Sequence, residues 1–426
     1  MRTASTSLGQ WKLVFQGNVF VLGFVSFLTD LSTEMIYPLL PAFFSGLLPP
    51  TAVAVYIGLM EGLSESTASL LKFFSGRVSD RLSRRKPLAL AGYAISSTIR
   101  PFTAMATGGW HVVALRLGDR IGKGIRTAPR DALLSESAPS GIRGRAFSFH
   151  RLMDHAGAVA GPLVAAAFLN ATLVNSALWH QGEQEVGPAE MASLRWLFVL
   201  AALPGLAATL CLWRWIQERP RSTGRQDEPR KESSDRSTDM RLRFIVFLIA
   251  VVLFTLGNSS DLFLIFYAQT HFGMGIGWLL NLWILLHLSK IVFSLPGGWL
   301  ADRIGRKVAI FAGWSVYVAV YLWMPFMHDF SGVCILLILY GAYYGMAEGA
   351  ERALVADFVG PRYRGKAFGW YHGAVGLSAL PASFLFGLIW VQFGSKAAFF
   401  FGASLAGGAL LLLPFCFSGK RNASLN

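Results

Sequence analysis

Charge is scarce in this chain and cysteine is nearly absent. Only 15% of the 426 residues are charged, against roughly 25% in an average soluble domain, which argues against an ordinary soluble enzyme. The three cysteines, Cys211, Cys334 and Cys416, all lie in apolar stretches. Their odd number and lack of metal-ligand spacing exclude a disulfide framework. Acids are also few: 24 Asp and Glu against 38 Lys and Arg leave a formal charge of +14, whose meaning depends on where the bases sit. No H-E-x-x-H, paired C-x-x-C or G-x-S-x-G occurs, so no catalytic constellation is visible and no metal or cofactor is expected. The run Gly118-Asp119-Arg120-Ile121-Gly122-Lys123-Gly124 resembles a phosphate-binding loop only superficially. It is one residue short, lacks Ser or Thr after the lysine and follows no strand. The chain is not expected to be an enzyme.

What is abundant is apolar sequence. It makes up 54% of the chain, about 230 residues, and twelve bilayer-crossing helices of about 20 residues each would need about 240. Stretches of spanning length fall at 18–44, 53–75, 88–106, 111–134, 145–169, 195–215, 244–269, 279–300, 308–326, 333–357, 367–391 and 397–417. The first is not read as a cleaved signal peptide, because Asp30 and Glu34 interrupt it and no small-residue cleavage site follows. It is expected to stay as the first helix.

With an even number of crossings and both termini cytoplasmic, most Lys and Arg fall in the cytoplasmic segments. The opposite loops hold only Lys396, with Arg195 at a helix edge. This is the positive-inside bias of a multi-pass protein of the inner or plasma membrane. It explains most of the +14 beside a lipid bilayer and removes the case for nucleic acid. The long polar stretch 217–243, mixed in charge and without apolar periodicity, reads as a flexible cytoplasmic linker. It divides residues 1–216, six crossings, from residues 244–426, six more.

The two halves repeat each other. Gly76-Arg77-Val78-Ser79-Asp80-Arg81-Leu82-Ser83-Arg84-Arg85-Lys86 follows the second crossing, and Gly298-Trp299-Leu300-Ala301-Asp302-Arg303-Ile304-Gly305-Arg306-Lys307 follows the eighth. Arg143-Gly144-Arg145-Ala146-Phe147 and Arg364-Gly365-Lys366-Ala367-Phe368 form a second pair at nearly the same offset, about 221 residues. Two matches at one spacing mark an internal duplication. Twelve crossings, this 6+6 duplication, a central linker and a G-x-x-x-D-R-x-x-R-[RK] loop in both halves together resemble the major facilitator superfamily across essentially the whole chain. The resemblance implies an all-α fold of two six-helix bundles with the site between them near mid-depth. It also implies a gating role for Gly76, Asp80, Arg81, Gly298, Asp302 and Arg303, in which the aspartate caps a neighbouring helix N-terminus. The rival reading of these loops is that they are simply positive-inside anchors. Ser83 stands where the family often has Gly. The fifth crossing carries Gly157-Ala158-Val159-Ala160-Gly161-Pro162-Leu163-Val164-Ala165-Ala166, similar to the antiporter signature G-x-x-x-G-P-x-x-G-G with alanines in the last two places. Gly157 and Gly161 permit close helix approach and Pro162 bends the helix. Generic small-residue packing is the alternative.

The fourth crossing is the most informative. Arg116, Asp119, Arg120, Lys123, Arg126, Arg130 and Asp131 fall within an arc of roughly 140° at about 100° per residue. At roughly 3 kcal/mol per charge at mid-bilayer, seven facing lipid would cost on the order of 20 kcal/mol. Those near the middle must therefore face protein or water. Counter-charges are available in Asp30 and Glu34 on the first crossing, Glu61 and Glu65 on the second, and Asp154 on the fifth. Arg120 falls where the family resemblance implies a buried arginine, in Arg120-Ile121-Gly122-Lys123-Gly124. Lys123 departs from the glutamine that many drug–proton antiporters carry there. Two readings stand. In one, Arg116, Arg120, Lys123 and Arg126 meet an anionic substrate while Asp30, Glu34, Asp154 or Asp261 carries a coupling proton. In the other, the charges form a structural ion-pair network.

The second half lacks the arginine row. Asn258-Ser259-Ser260-Asp261 roughly matches the Asp30 region, and Tyr343, Tyr344, Glu348, Glu351 and Arg352 lie on the tenth crossing. His287 is read as a packing or hydrogen-bonding histidine. The expected activity is secondary active transport by alternating access, as proton-coupled antiport exporting a small anionic or amphipathic solute. The partners are a small-molecule substrate, protons and lipid, and the chain is expected to act as a monomer. The alternatives are proton symport importing an organic anion and, from another class, a non-transporting membrane sensor or scaffold.

Overall fold

The computed structural model describes residues 15–81, 84–138, 143–181, 186–218, 237–358 and 364–417. Apart from one isolated bridge between Gln181 and Met274, the described residues form no β structure. A helix satisfies its own backbone hydrogen bonds, which is what a hydrocarbon surrounding demands of an apolar chain.

In chain order, α1 (Gly17–Glu34) passes through a 3₁₀ turn at Tyr37–Leu39 into α2 (Leu40–Ser45). Then come α3 (Pro50–Arg81), α4 (Lys86–Ile99) with a 3₁₀ extension at Arg100–Met105, α5 (Gly109–Ser137) and α6 (Arg143–Leu173). Next are α7 (Ala177–His180), α8 (Pro188–Leu200), α9 (Ala202–Trp215), α10 (Ser237–Gly257) and α11 (Leu262–Phe272). The last are α12 (Ile276–Ile304), α13 (Arg306–Trp323), α14 (Phe330–Asp357) and α15 (Arg364–Phe417). Among the described residues, eight stretches are long and apolar enough to cross a bilayer. The protein is an integral, multi-pass membrane protein. Three other expected crossings fail that test for local reasons, and the last two run together. α4 has only 14 residues, α3 and α5 are rich in charge, and the 54 residues of α15 form one stretch although Gly394, at φ 85°, breaks it. Only glycine adopts that backbone without strain. α10 begins at Ser237, so the end of the segment read as linker is helical. Residues 219–236 of that linker lie outside the described residues.

The chain packs as two compact units: Met1–Gly224 with Ser260–Leu288, and Arg225–Ser259 with Ser289–Asn426. The second half therefore lends α11 and the first part of α12 to the first unit.

The core of the first unit brings Leu22, Val25, Tyr93, Leu134, Phe149 and Leu212 together from α1, α4, α5, α6 and α9. Two helix ends there cap each other. Glu218 accepts the backbone N–H groups of Arg85 and Lys86 at the start of α4. Lys86 Nζ in turn donates to the carbonyls of Trp213 and Ile216 at the end of α9, both at 2.7 Å. An acid at a helix N-terminus and a lysine at a C-terminus are each favoured by the helix dipole.

The second unit is built on aromatic packing. Phe254 stacks on Trp314 at 4.2 Å, and Tyr317 stacks on Tyr321 at the same distance. The tyrosines also satisfy the end of α10. Tyr317 donates to the Gly257 carbonyl at 2.8 Å, Tyr321 bonds Ser259 at 2.8 Å, and Asn258 donates to Tyr343 at 3.1 Å. Polar side chains at 258–261 thus interrupt an apolar helix where partners exist for the freed groups, the condition under which a break is tolerated at membrane depth.

Candidate functional site

The charged groups of the first unit sort into two layers. The first is a set of ion pairs around α5, buried at Arg100, Arg116 and Asp119 and partly exposed at Glu65 and Asp131. Asp119, buried, takes Arg100 Nε at 2.9 Å on one oxygen and Arg116 Nη1 at 3.5 Å on the other. Arg100 also donates to Ser32 Oγ at 2.9 Å and to the Thr29 carbonyl at 3.2 Å, tying α4 and α5 to α1. Arg116 lies over the Tyr37 ring at 4.4 Å and 3.9 Å from Glu61. Glu61 in turn accepts from Tyr37 at 2.5 Å and Ser260 at 3.1 Å. Arg120 pairs with Glu65 at 3.7 Å. Arg126 donates to Ser96 Oγ at 2.5 Å and lies over the Tyr93 ring at 4.7 Å. Arg130 pairs with Asp131 at 2.7 Å. A cavity beside this network is lined by Thr33, Arg100, Thr103, Arg116 and Asp119.

The second layer is partly exposed throughout. Asp30, Glu34, Lys123 and Asp154 each keep a partly exposed face. Glu34 accepts Trp283 Nε1 at 2.9 Å. Asp154 is held by the Ser26 hydroxyl and by His150 Nδ1 at 3.3 Å. Asp30 lies in electrostatic range of Asp154, Lys123, Glu34 and Arg126.

The charge balance follows from the pairs. Lys72, Arg100, Arg116, Arg120, Lys123, Arg126 and Arg130 face Asp30, Glu34, Glu61, Glu65, Asp119, Asp131 and Asp154 within this unit. Seven cations against seven acids balance when every acid is ionised and His150 is neutral. Removing the ion-paired groups leaves Lys72, Lys123 and Arg126 against Asp30, Glu34 and Asp154, again in balance. The row of bases on α5 is therefore already matched.

The antiporter-like glycines sit against these acids. Space for a side chain at Gly157 is closed by the Phe27 carbonyl, Leu31 N and Asp30 Cβ; at Gly161 it is closed by Glu34 Cβ and the Leu31 carbonyl. The absence of a Cβ at both positions lets α6 lie directly on the turn of α1 that carries Asp30 and Glu34. Pro162 lies inside α6.

The remaining candidates are placed as follows. Asp261 immediately precedes α11, at the break. Gly76 lies on α3, where a side chain would meet Ala128 at ordinary contact distance, and Arg303 is exposed near the end of α12. Asp80 and Arg81 on α3, and Gly298 and Asp302 on α12, lie outside the described side chains. His287 Nδ1 lies 3.1 Å from the Trp283 carbonyl of its own helix, in keeping with a packing role. Sequence reasoning passed over Arg100, a lone arginine ending an apolar crossing, which its cost in a membrane marks as partnered. It also passed over Tyr37, whose ring and hydroxyl serve two different charges.

Comparison with known proteins agrees with this architecture. The Major Facilitator Superfamily pattern matches residues 22–289 and 275–425. An uncharacterized MFS-type transporter of Methanocaldococcus jannaschii is 32% identical over 403 residues, covering 93% of this chain and 94% of its own. The multidrug resistance protein MdtH of Photorhabdus laumondii is 30% identical over 158 residues, 37% of this chain and 36% of its own. Among solved structures, a bacterial homolog of the human lysosomal transporter Spinster, inward-facing and occupied, superposes with a TM-score of 0.72 at 15% identity, covering 94% of this chain and 95% of that one. The chain belongs to the Major Facilitator Superfamily, and is a secondary transporter rather than an enzyme.

Proposed function

We propose that the protein is a twelve-helix, proton-coupled antiporter that exports a small amphipathic solute by alternating access, with Asp30 and Glu34 carrying the coupling proton. The observation that supports this reading is the seating of Gly157 and Gly161 on the turn of α1 that bears those two acids. It joins the antiporter-like motif to titratable groups that are partly exposed. Asp154 and Asp261 are the further proton-coupling candidates. MdtH, alike over part of its length, carries a multidrug resistance name, which accords with export.

The charge balance sharpens the substrate class. Arg116 and Arg120 are engaged by Glu61, Asp119 and Glu65, so of the four bases proposed to meet substrate, Lys123 is the half-buried one facing Asp30. Acids at the site disfavour a strongly anionic solute, which leaves the amphipathic class. Proton symport of an organic anion is the second reading, favoured by Lys123 and Arg126, which would accept an anion once the neighbouring acids are protonated. The cell membrane, with both termini cytoplasmic, is the proposed location.

Everted membrane vesicles under an imposed pH gradient, offered a panel of metabolites and lipophilic dyes, test the reading. Uptake of a panel member that disappears when the gradient is collapsed is the expected result. Uptake unaffected by collapse removes proton coupling, and gradient-driven uptake confined to right-side-out vesicles reverses the direction.

A further inference from the structure

The second unit contains a carboxylate that the reading above leaves unused. Glu351 on α14 accepts Trp314 Nε1 of α13 at 2.8 Å on one oxygen and Tyr371 OH of α15 at 2.7 Å on the other. Trp314 is fully buried under the stacked ring of Phe254, Tyr371 is 6% exposed, and Glu351 itself keeps a partly exposed face. Arg352, the adjacent cation, bonds Glu348 one turn earlier on the same helix. Tyr344 faces Arg352 from α14, and His372 packs beside Tyr371 on α15 at 5.2 Å. The groups presented by α13 and α10, Trp314 and Phe254, carry no charge.

This donor pair suits either protonation state. Indole N–H can only donate, but a tyrosine hydroxyl can donate or accept. An ionised Glu351 takes both donors. A protonated Glu351 takes Trp314 on its carbonyl oxygen and gives its own proton to the Tyr371 oxygen after the hydroxyl turns. An arginine or lysine in place of Tyr371 would favour the ionised form, because neither side chain can accept the proton of the neutral acid.

The duplication shows that the position is specialised. Gly92 lies against the Gly122 carbonyl and Arg126, and Gly313 lies against the Tyr343 carbonyl and Ala347. Each member of the second set is 221 residues beyond its counterpart, so the two halves pack in the same register. In that register Tyr93, Arg130 and His150 correspond to Trp314, Glu351 and Tyr371. The first unit holds a guanidinium there, fixed to Asp131 at 2.7 Å; the second holds an acid between two neutral donors.

We propose that Glu351, held between Trp314 and Tyr371, is a proton-binding site of the second unit that exchanges its proton with water. The inference rests on the protein being proton-coupled, and it adds a second carrier of charge remote in sequence from Asp30 and Glu34. Infrared difference spectroscopy of the full chain in lipid nanodiscs, titrated with acid and base alone, reads the carboxylic acid carbonyl directly. Because it needs no substrate, its failure is distinguishable from failure of gradient-driven uptake. The wild type should show a titrating carboxyl band that Glu351→Gln removes. Tyr371→Phe, which keeps the acid but deletes a hydroxyl that binds the ionised form more strongly than the neutral one, should raise the proton affinity about tenfold. A band that persists unchanged in Glu351→Gln, or a midpoint unmoved in Tyr371→Phe, overturns the assignment. The second variant keeps the test decisive if the first does not fold.

Discussion

Replacing Asp119 by Asn separates the two roles that the charges of α5 can play. In the wild type Asp119 bridges Arg100 at 2.9 Å and Arg116 at 3.5 Å, and all three side chains are buried. Deleting one member of a buried pair leaves an uncompensated charge and costs about 3–5 kcal/mol. The two arginines do not suffer equally. Arg100 keeps Ser32 Oγ and the Thr29 carbonyl as acceptors, whereas Arg116 keeps Glu61 at 3.9 Å and the face of Tyr37. Those residual contacts place the cost at the lower end, about 3 kcal/mol, or roughly 150-fold in the folded-to-unfolded ratio. Lys123→Met is the control on the same helix. Its side chain is half-buried and forms no ion pair with the described residues, so its effect on stability should stay within about 1 kcal/mol. The fraction of protein remaining monodisperse after heating in detergent measures both. Asp119→Asn should lose its folded form at a clearly lower temperature, while Lys123→Met should match the wild type yet transport poorly at a permissive temperature. A wild-type midpoint in Asp119→Asn, or an equal drop in both, refutes the division into a structural network and a working layer.

Two further outcomes follow from the packing. Gly161→Ala puts a methyl group 2.8 Å from both Glu34 Cβ and the Leu31 carbonyl; α1 and α6 must move apart at a cost of about 1–3 kcal/mol. Transport should fall more steeply than thermal stability, and full activity in this variant would detach the glycine motif from the two acids. Tyr37→Phe removes the 2.5 Å hydrogen bond to Glu61 but keeps the ring under Arg116. It should lower thermal stability by about 1–2 kcal/mol, whereas Tyr37→Ala, which also strips the aromatic face from Arg116, should cost visibly more by the same heating assay.

The course of the helices and the polar face of α5 are legible in the sequence because both are periodic. An apolar stretch of fixed length or a repeat at 3.6 residues needs no knowledge of neighbours. The duplication is legible in the same way, and the matching contacts of Gly92 and Gly313 show that its 221-residue register extends into packing. The pairings are a different matter. Nothing local connects Arg100 with Asp119, or Trp314 and Tyr371 with Glu351, because each contact joins different helices. Ser32, Ser96 and Tyr37 are decisive partners, yet serine and tyrosine are too common in apolar helices to stand out. The excess of bases on α5 pointed to an anion; the acids arriving from α3 and from α5 itself neutralise most of it. Only the three-dimensional arrangement could show that balance.

The central claim is that Asp30 and Glu34 carry the coupling proton, and it is tested by counting protons. Liposomes containing the purified protein and an internal pH-sensitive dye report how many protons move for each solute transported, in the wild type and in Asp30→Asn and Glu34→Gln. The amide at one or both positions should abolish proton movement while solute exchange across the membrane persists. A wild-type proton-to-solute ratio in both variants contradicts it.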